Sequence, residues 1–255
     1  MLWAIDVSNS LTKIGLWNGT DWECVWRITT RATTTEDELA AELKTLCDLG
    51  GVPFEAEAMM VGSVVPMFNE SWKRLARKYF DIEPLFLLTG EQVGMKVRYN
   101  PPHAVGADRI ANAIAALALE VPPVIVVDFG TATTFDVISQ EGEYLGGAIL
   151  PGVFVSMQAL LQNTAKLPQI ELHAPAQAIG TTTTGALQSG IVLGHAAAVD
   201  ALARQINGEL GGKATVLSTG GLGKTFVDLC DLIDRHEPTL TLDGLRLAHD
   251  KLSHY

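Results

Sequence analysis

Two segments of this chain follow one plan. Leu2-Trp3-Ala4-Ile5-Asp6-Val7-Ser8-Asn9-Ser10 and Val124-Ile125-Val126-Val127-Asp128-Phe129-Gly130-Thr131-Ala132-Thr133 lie about half a chain length apart. Each is an apolar strand that ends in an aspartate, then a turn of small polar residues, then a second strand. A fold that accepts this sequence has to place the same strand–Asp–turn–strand unit twice. Its 255 residues suffice for two such halves at roughly 100–200 residues per domain.

Between the two units, strand-like and helix-like runs alternate, which is the pattern of an α/β protein. Strands are predicted at Leu2–Asp6, Lys13–Trp17, Trp22–Thr29, Ala58–Val65 and Pro84–Leu88, with Asn18-Gly19 marking a hairpin turn. Thr35-x-x-Glu38 is a capping box ahead of Leu39, Leu43, Leu46 and Cys47, and Gly50-Gly51 ends that helix. Asn69–Phe80 and Gly106–Leu119 read as helices. Strands follow at Pro123–Asp128, Thr133–Ser139, Tyr144–Ile149 and Ala214–Thr219; helices are predicted at Gly152–Asn163, Gly185–Asn207 and from about Lys224 onward. The expected halves are residues 1–115 and 116–255, with a cleft between them.

Composition excludes several function classes. At 47% hydrophobic and 18% charged residues the chain has enough apolar surface to bury a core. A net charge of −11 disfavours a nucleic-acid backbone as partner, while local N–H groups still bind a small anion. The three cysteines, Cys24, Cys47 and Cys230, form no Cys-x-x-Cys pair, and the six histidines form no ligand pattern. There is no run of 18 consecutive apolar residues, and the N-terminal segment reaches Asp6 without a basic start. The expectation is a cytoplasmic protein without a membrane span.

Four motifs carry chemistry. Asp6 to Ser10, with Lys13, can cradle phosphate through backbone N–H groups and hydroxyls; an ordinary Asx/Ser-rich hairpin has the same composition. Asp128-Phe129-Gly130-Thr131-Ala132-Thr133-Thr134 repeats the arrangement in the other half, where a glycine flanked by hydroxyls favours anion binding over packing. Gly106-Ala107-Asp108-Arg109 opens a helix. Asp108 suits the helix macrodipole, whereas Arg109 in a first turn does not, and the two together can supply a base and an anion clamp. Gly220-Gly221 follows a strand and lets backbone lie flat against a ligand. The Gly223-Lys224-Thr225 that follows is no P-loop, because Ser218 stands where its first glycine is required.

In order along the chain these motifs resemble those of the type III pantothenate kinases, within the acetate/sugar kinase–Hsp70–actin superfamily. The likeness also takes in Gly62-Ser63-Val64-Val65-Pro66, Tyr99-Asn100-Pro101 and Tyr144-Leu145-Gly146-Gly147-Ala148-Ile149-Leu150-Pro151-Gly152. It continues through Thr164-Ala165-Lys166-Leu167-Pro168, Ile179–Thr183 and Gln188-Ser189-Gly190. It implies two similar ribonuclease-H-like, actin-like halves with a nucleotide cleft between them. It implies ATP, with Mg²⁺, as phosphoryl donor, pantothenate as acceptor, and a homodimer. By the resemblance Asp108 is the catalytic base, and Tyr99, Gly106, Ala107, Asp108, Arg109 and Thr183 contact pantothenate. Asp6, Val7, Ser8, Asn9, Ser10, Leu11, Thr12 and Lys13 form the first phosphate loop, Thr131 belongs to the second, and Gly220 and Gly221 meet the adenosine. Asp128 is associated with a monovalent cation, K⁺ or NH₄⁺.

Ser8 departs from the pattern, which has glycine there. If that position takes φ > 0, serine costs about 1 kcal/mol. This departure keeps open a second reading, a catalytically silent relative acting as a regulatory or binding protein. A third is a sugar or acetate kinase of the same superfamily.

Overall fold

The computed structural model describes residues 1–164 and 167–253; Ala165 and Lys166 of the Thr164–Pro168 motif lie outside the described residues. The chain divides into two compact units, Met1–Ala115 with Leu240–Tyr255, and Ala116–Thr239. The C-terminal segment thus joins the first unit, where the sequence reading put it in the second half.

The first unit is built on β1 (Leu2–Val7), β2 (Leu11–Trp17), β3 (Trp22–Thr29), α1 (Glu36–Gly50), β4 (Ala58–Ser63), α2 (Pro66–Leu75), β5 (Leu85–Leu87) and the start of α3 (Ala107–Leu119). The strand order is β3-β2-β1-β4-β5. β1 pairs antiparallel with β2 and parallel with β4. Strand alternation sends Trp3, Ile5 and Val7 into a core with Leu39, Leu43, Phe68 and Trp72 of the two helices. The helix boundaries have local causes. Thr35 and Glu38 close the capping box of α1, and Gly51 ends it in the left-handed region at φ 69°. α2 begins at Pro66, earlier than the sequence reading, because proline suits a first helical position, and this shortens β4 to Ser63.

The second unit holds β6 (Val124–Phe129), β7 (Ala132–Ile138), β8 (Tyr144–Gly146), β9 (Ile149–Pro151), α4 (Val153–Gln162), α5 (Thr183–Gln188), α6 (Gly194–Glu209), β10 (Thr215–Thr219), α7 (Gly223–Val227) and β11 (Arg235–His236). Its sheet runs β11-β10-β6-β7-β8, with β9 also on β7. Ile125, Val127, Phe129 and Phe135 pack against Val153, Ala196, Val199, Ala203 and Phe226. The Phe129 and Phe226 rings stack at 4.9 Å. The run Thr183–Glu209 is 27 residues of helix, long and apolar enough in composition to cross a membrane, a property core helices share. Here Val192, Ala196, Val199 and Ala203 of that run are core residues of this unit. All three cysteines are free thiols. Burial pushes Cys47 up to about 11 and Cys230 up to about 12, so both stay protonated as packing residues.

The internal echo is therefore structural. Each unit has a strand whose penultimate residue is aspartate, an antiparallel hairpin partner on one side and a parallel strand on the other. Asp6 stands opposite Gly62, and Asp128 opposite Thr219. The helix expected from Lys224 is instead the short α7; after β11 the chain forms a separate helix, α8 (Leu240–Leu252). α8 packs on the face of the first sheet that α1 and α2 leave uncovered. There Gly15 and Gly62 make room for Leu242 and Leu245.

Candidate active site

In the first unit the catalytic candidates meet at the ends of β1 and β4. Asp6 is the penultimate residue of β1, 9% exposed, with Lys13 of β2 opposite it on one side and Gly62 of β4 on the other. The loop between β1 and β2 is closed by a bond from the Ser8 N–H to the Leu11 carbonyl. Thr12 is buried and its hydroxyl lies 2.9 Å from that of Thr30. Asn9, Ser10 and Leu11 are exposed, as a loop that receives a ligand requires.

Helix α3 begins against the same strand ends. A Cβ on Gly62 would lie 3.6 Å from the Ala107 Cβ, and one on Gly106 would lie 3.3 Å from Val64. Adjacent strands are about 4.8 Å apart. The register of Asp6 with Gly62 therefore sets the start of α3 beside the phosphate-loop candidate. The Ile110 N–H bonds back to the Gly106 carbonyl, which makes Asp108 a first-turn residue. The Asp108 carboxylate accepts the Arg109 N–H at 2.8 Å and folds into the space that a Gly106 side chain would fill. The positive end of the helix dipole favours negative charge there. Asp108 and Arg109 are both half-buried. Tyr99 is half-buried in the segment leading to α3.

In the second unit Asp128, Gly130, Thr131 and Gly220 come together at the ends of β6 and β10. Gly220 has φ 91°, a conformation that L side chains rarely adopt. Its missing Cβ also leaves space for the Asp128 Oδ1 and, at 2.6 Å, the Phe129 carbonyl oxygen. Thr131 and Gly221 are exposed. The loop is braced by His195 of α6, whose Nε2 lies 3.0 Å from the buried Thr133 hydroxyl. Burial lowers the His195 pKa and favours the neutral ring. The sequence offers no ligand pattern for this histidine; its ring also packs against Phe129 and Phe226. Thr183 belongs to another element of this unit. It is the first residue of α5, exposed, and follows the helix cap Thr182.

The donors around Asp128 are oxygens. Among the described residues no group of three or more His, Cys, Asp or Glu converges. A carboxylate with neighbouring backbone carbonyls suits a hard or monovalent cation and not a thiolate- or imidazole-seeking metal.

The family model described as type III pantothenate kinase matches residues 2–205. The chain belongs to the type III pantothenate kinase family. Among its relatives, the type III pantothenate kinase of Desulfatibacillum aliphaticivorans is 44% identical over 257 residues, covering 99% of both chains. That of Anaeromyxobacter sp. (strain Fw109-5) is 42% identical over 252 residues, covering 98% of this chain and 99% of the relative. Two solved structures share the fold. A Baf family transcriptional activator from Campylobacter jejuni aligns with a TM-score of 0.64 at 18% identity, over 99% of this chain and 100% of its own. The activator of the 2-hydroxyisocaproyl-CoA dehydratase from Clostridium difficile, with bound ADPNP, gives 0.55 at 12% identity, over 99% and 96%.

The family's glycine position, Ser8, has a structural answer. Asp81 is the one non-glycine residue with positive φ among the described residues, so Ser8 carries no left-handed strain. Its hydroxyl donates to Asp6 Oδ1 at 3.4 Å, a long bond. Serine therefore fits the backbone of this loop. Ser8→Gly is expected to leave the ATP Kd unchanged or to tighten it, since glycine only removes a Cβ and a hydroxyl. Isothermal titration of both proteins checks this. A roughly ten-fold weaker Kd, about 1.4 kcal/mol, would mean that the hydroxyl is itself a phosphate donor.

Proposed function

We propose that this protein transfers the γ-phosphoryl group of ATP to the primary hydroxyl of pantothenate, giving 4'-phosphopantothenate and ADP, the first step of coenzyme A synthesis. The observation that carries the reading is the placement of Asp108. A first-turn carboxylate stands beside the Asp6 loop, fixed there by the packing of Ala107 on Gly62.

Phosphoryl transfer needs positioning and charge stabilisation more than covalent help. The loop from Asp6 to Lys13 holds the phosphates, with Lys13 adding positive charge. Thr131 serves the second phosphate contact, and Gly220 and Gly221 lie along the adenosine. Arg109 holds the pantothenate carboxylate, for which a planar guanidinium fork suits better than an ammonium. Tyr99, Gly106, Ala107 and Thr183 complete the acceptor contacts. As the acceptor oxygen bonds to the γ-phosphorus and the bond to the β–γ bridging oxygen breaks, Asp108 takes the hydroxyl proton. Mg²⁺ travels with the nucleotide. Asp128 and its neighbouring carbonyls would hold K⁺ or NH₄⁺, which would supply positive charge. The working form is a cytoplasmic homodimer; α4 of a single chain leaves Phe154, Val155 and Leu160 exposed, an apolar surface suited to a second copy.

A coupled ADP-release assay tests this. ADP release is expected to require pantothenate and to proceed in K⁺ or NH₄⁺ but far less in Na⁺, because a site of oxygen donors sized for the larger ion discriminates by distance and number. Equal rates after exhaustive exchange into Na⁺ or Tris would remove the cation from Asp128. Release driven by a sugar or acetate instead of pantothenate would contradict the acceptor.

A further inference from the structure

Helix α8 lies beyond the residues matched by the family model, yet its backbone comes very close to the helix that carries Asp108. A Cβ on Gly244 would collide with the Ala111 carbonyl group and lie 2.8 Å from the Ala111 Cα. Three residues earlier on α8, the Thr241 hydroxyl donates to Asn112 Oδ1 at 2.9 Å. Both residues are buried, Thr241 at 2% and Asn112 at 1% exposed. Asn112 follows Asp108 by four residues, so the two share one face of α3. α8 is itself anchored from two other sides. The Trp22 indole donates to Asp243 Oδ1 at 2.8 Å, and Leu245 fills the space left by Gly62, where Ala107 also packs.

We infer that Thr241 and Gly244 are positioning residues that set the rotation of α3 and thereby aim the Asp108 carboxylate; this rests on the reading of Asp108 as the base. The physical reason is directionality. Apolar side chains hold two helices together but tolerate sliding and rotation. A buried hydrogen bond between two side chains is an expensive choice at such a crossing unless its geometry is used. Gly244 brings the two backbones so close that a small rotation of α3 meets α8 directly. Rotation moves the end of the Asp108 side chain more than it moves the helix axis, and misplacement by about 1 Å can lower a rate by as much as about 10²-fold.

The test compares Thr241→Val, which keeps the shape and removes the hydroxyl, with Thr241→Ser, which keeps the hydroxyl. In the full-length enzyme with ATP and pantothenate, the valine variant is expected to lose about tenfold in kcat, with KM for both substrates within about twofold, and the serine variant to regain most of the loss. Gly244→Ala should lower kcat further. If the valine variant does not accumulate, Thr241→Ala, whose smaller side chain admits water to Asn112, takes its place. A lowered melting temperature with unchanged kcat would make Thr241 merely structural and overturn the inference. So would a raised KM at normal kcat, or a serine variant as slow as the valine one. Asp108→Asn, measured alongside, separates the two readings. If it is inactive while Thr241→Val turns over normally, only the positioning role falls; if it stays active, both fall.

Discussion

Asp108→Asn should retain its fold and lose turnover by roughly 10²–10⁴-fold, the scale of a missing general base. Asparagine has nearly the same shape and still accepts the Arg109 N–H through its amide oxygen, so the bond that shapes the first turn of α3 survives. It cannot take the proton of the acceptor hydroxyl. The loss should appear in kcat, because the proposed contacts that hold pantothenate and ATP are mainly other groups. Steady-state kinetics with a thermal melt of each protein decide the matter. Turnover like that of the unsubstituted protein, with a normal melt, removes Asp108 from the chemistry.

Gly220→Ala should weaken ATP binding sharply and lower stability together. At φ 91° an alanine costs about 1–2 kcal/mol. Its Cβ would also meet the Asp128 carboxylate and lie 2.6 Å from the Phe129 carbonyl oxygen, and overpacking of this kind costs about a further 1–3 kcal/mol. Neither neighbour can yield freely, because Asp128 is in register with Thr219 and the Phe129 ring is stacked on Phe226. The substitution therefore displaces the carboxylate, and with it both the proposed adenosine segment and the cation candidate. Titration with ATP and a melting curve check this. An unchanged Kd at an unchanged melting temperature would show that Gly220 lies away from the nucleotide.

What the sequence made legible is what depends on near neighbours. The strand–Asp–turn–strand plan, the Thr35–Glu38 capping box and the start of α3 at Gly106 are local signals, and each appears in the structure close to where it was read. The meeting of Ala107 with Gly62 was not legible, because it depends on strand register between segments far apart in sequence. α8 is hard to read from the sequence for a related reason. Its buried positions include Thr241 and Gly244, which read as weak helix residues and declare their purpose only against Asn112 and Ala111. Its apolar stripe does not say which sheet it covers, so proximity along the chain points to the second half, whereas residues 240–252 belong to the first unit. The concern over Ser8 had a comparable origin. A family glycine suggests positive φ, but the backbone at Ser8 has no such need.

In the proposed mechanism one chemical event, phosphoryl transfer to pantothenate, depends on Asp108. Following the γ-phosphate of ATP by ³¹P NMR, in K⁺ buffer with pantothenate present, tests it most directly. The expected result is a phosphomonoester of pantothenate formed in equal amount with ADP by the unsubstituted protein, and none above background over the same period with Asp108→Asn. ADP with inorganic phosphate and no ester, or ester formed equally by both proteins, would contradict it.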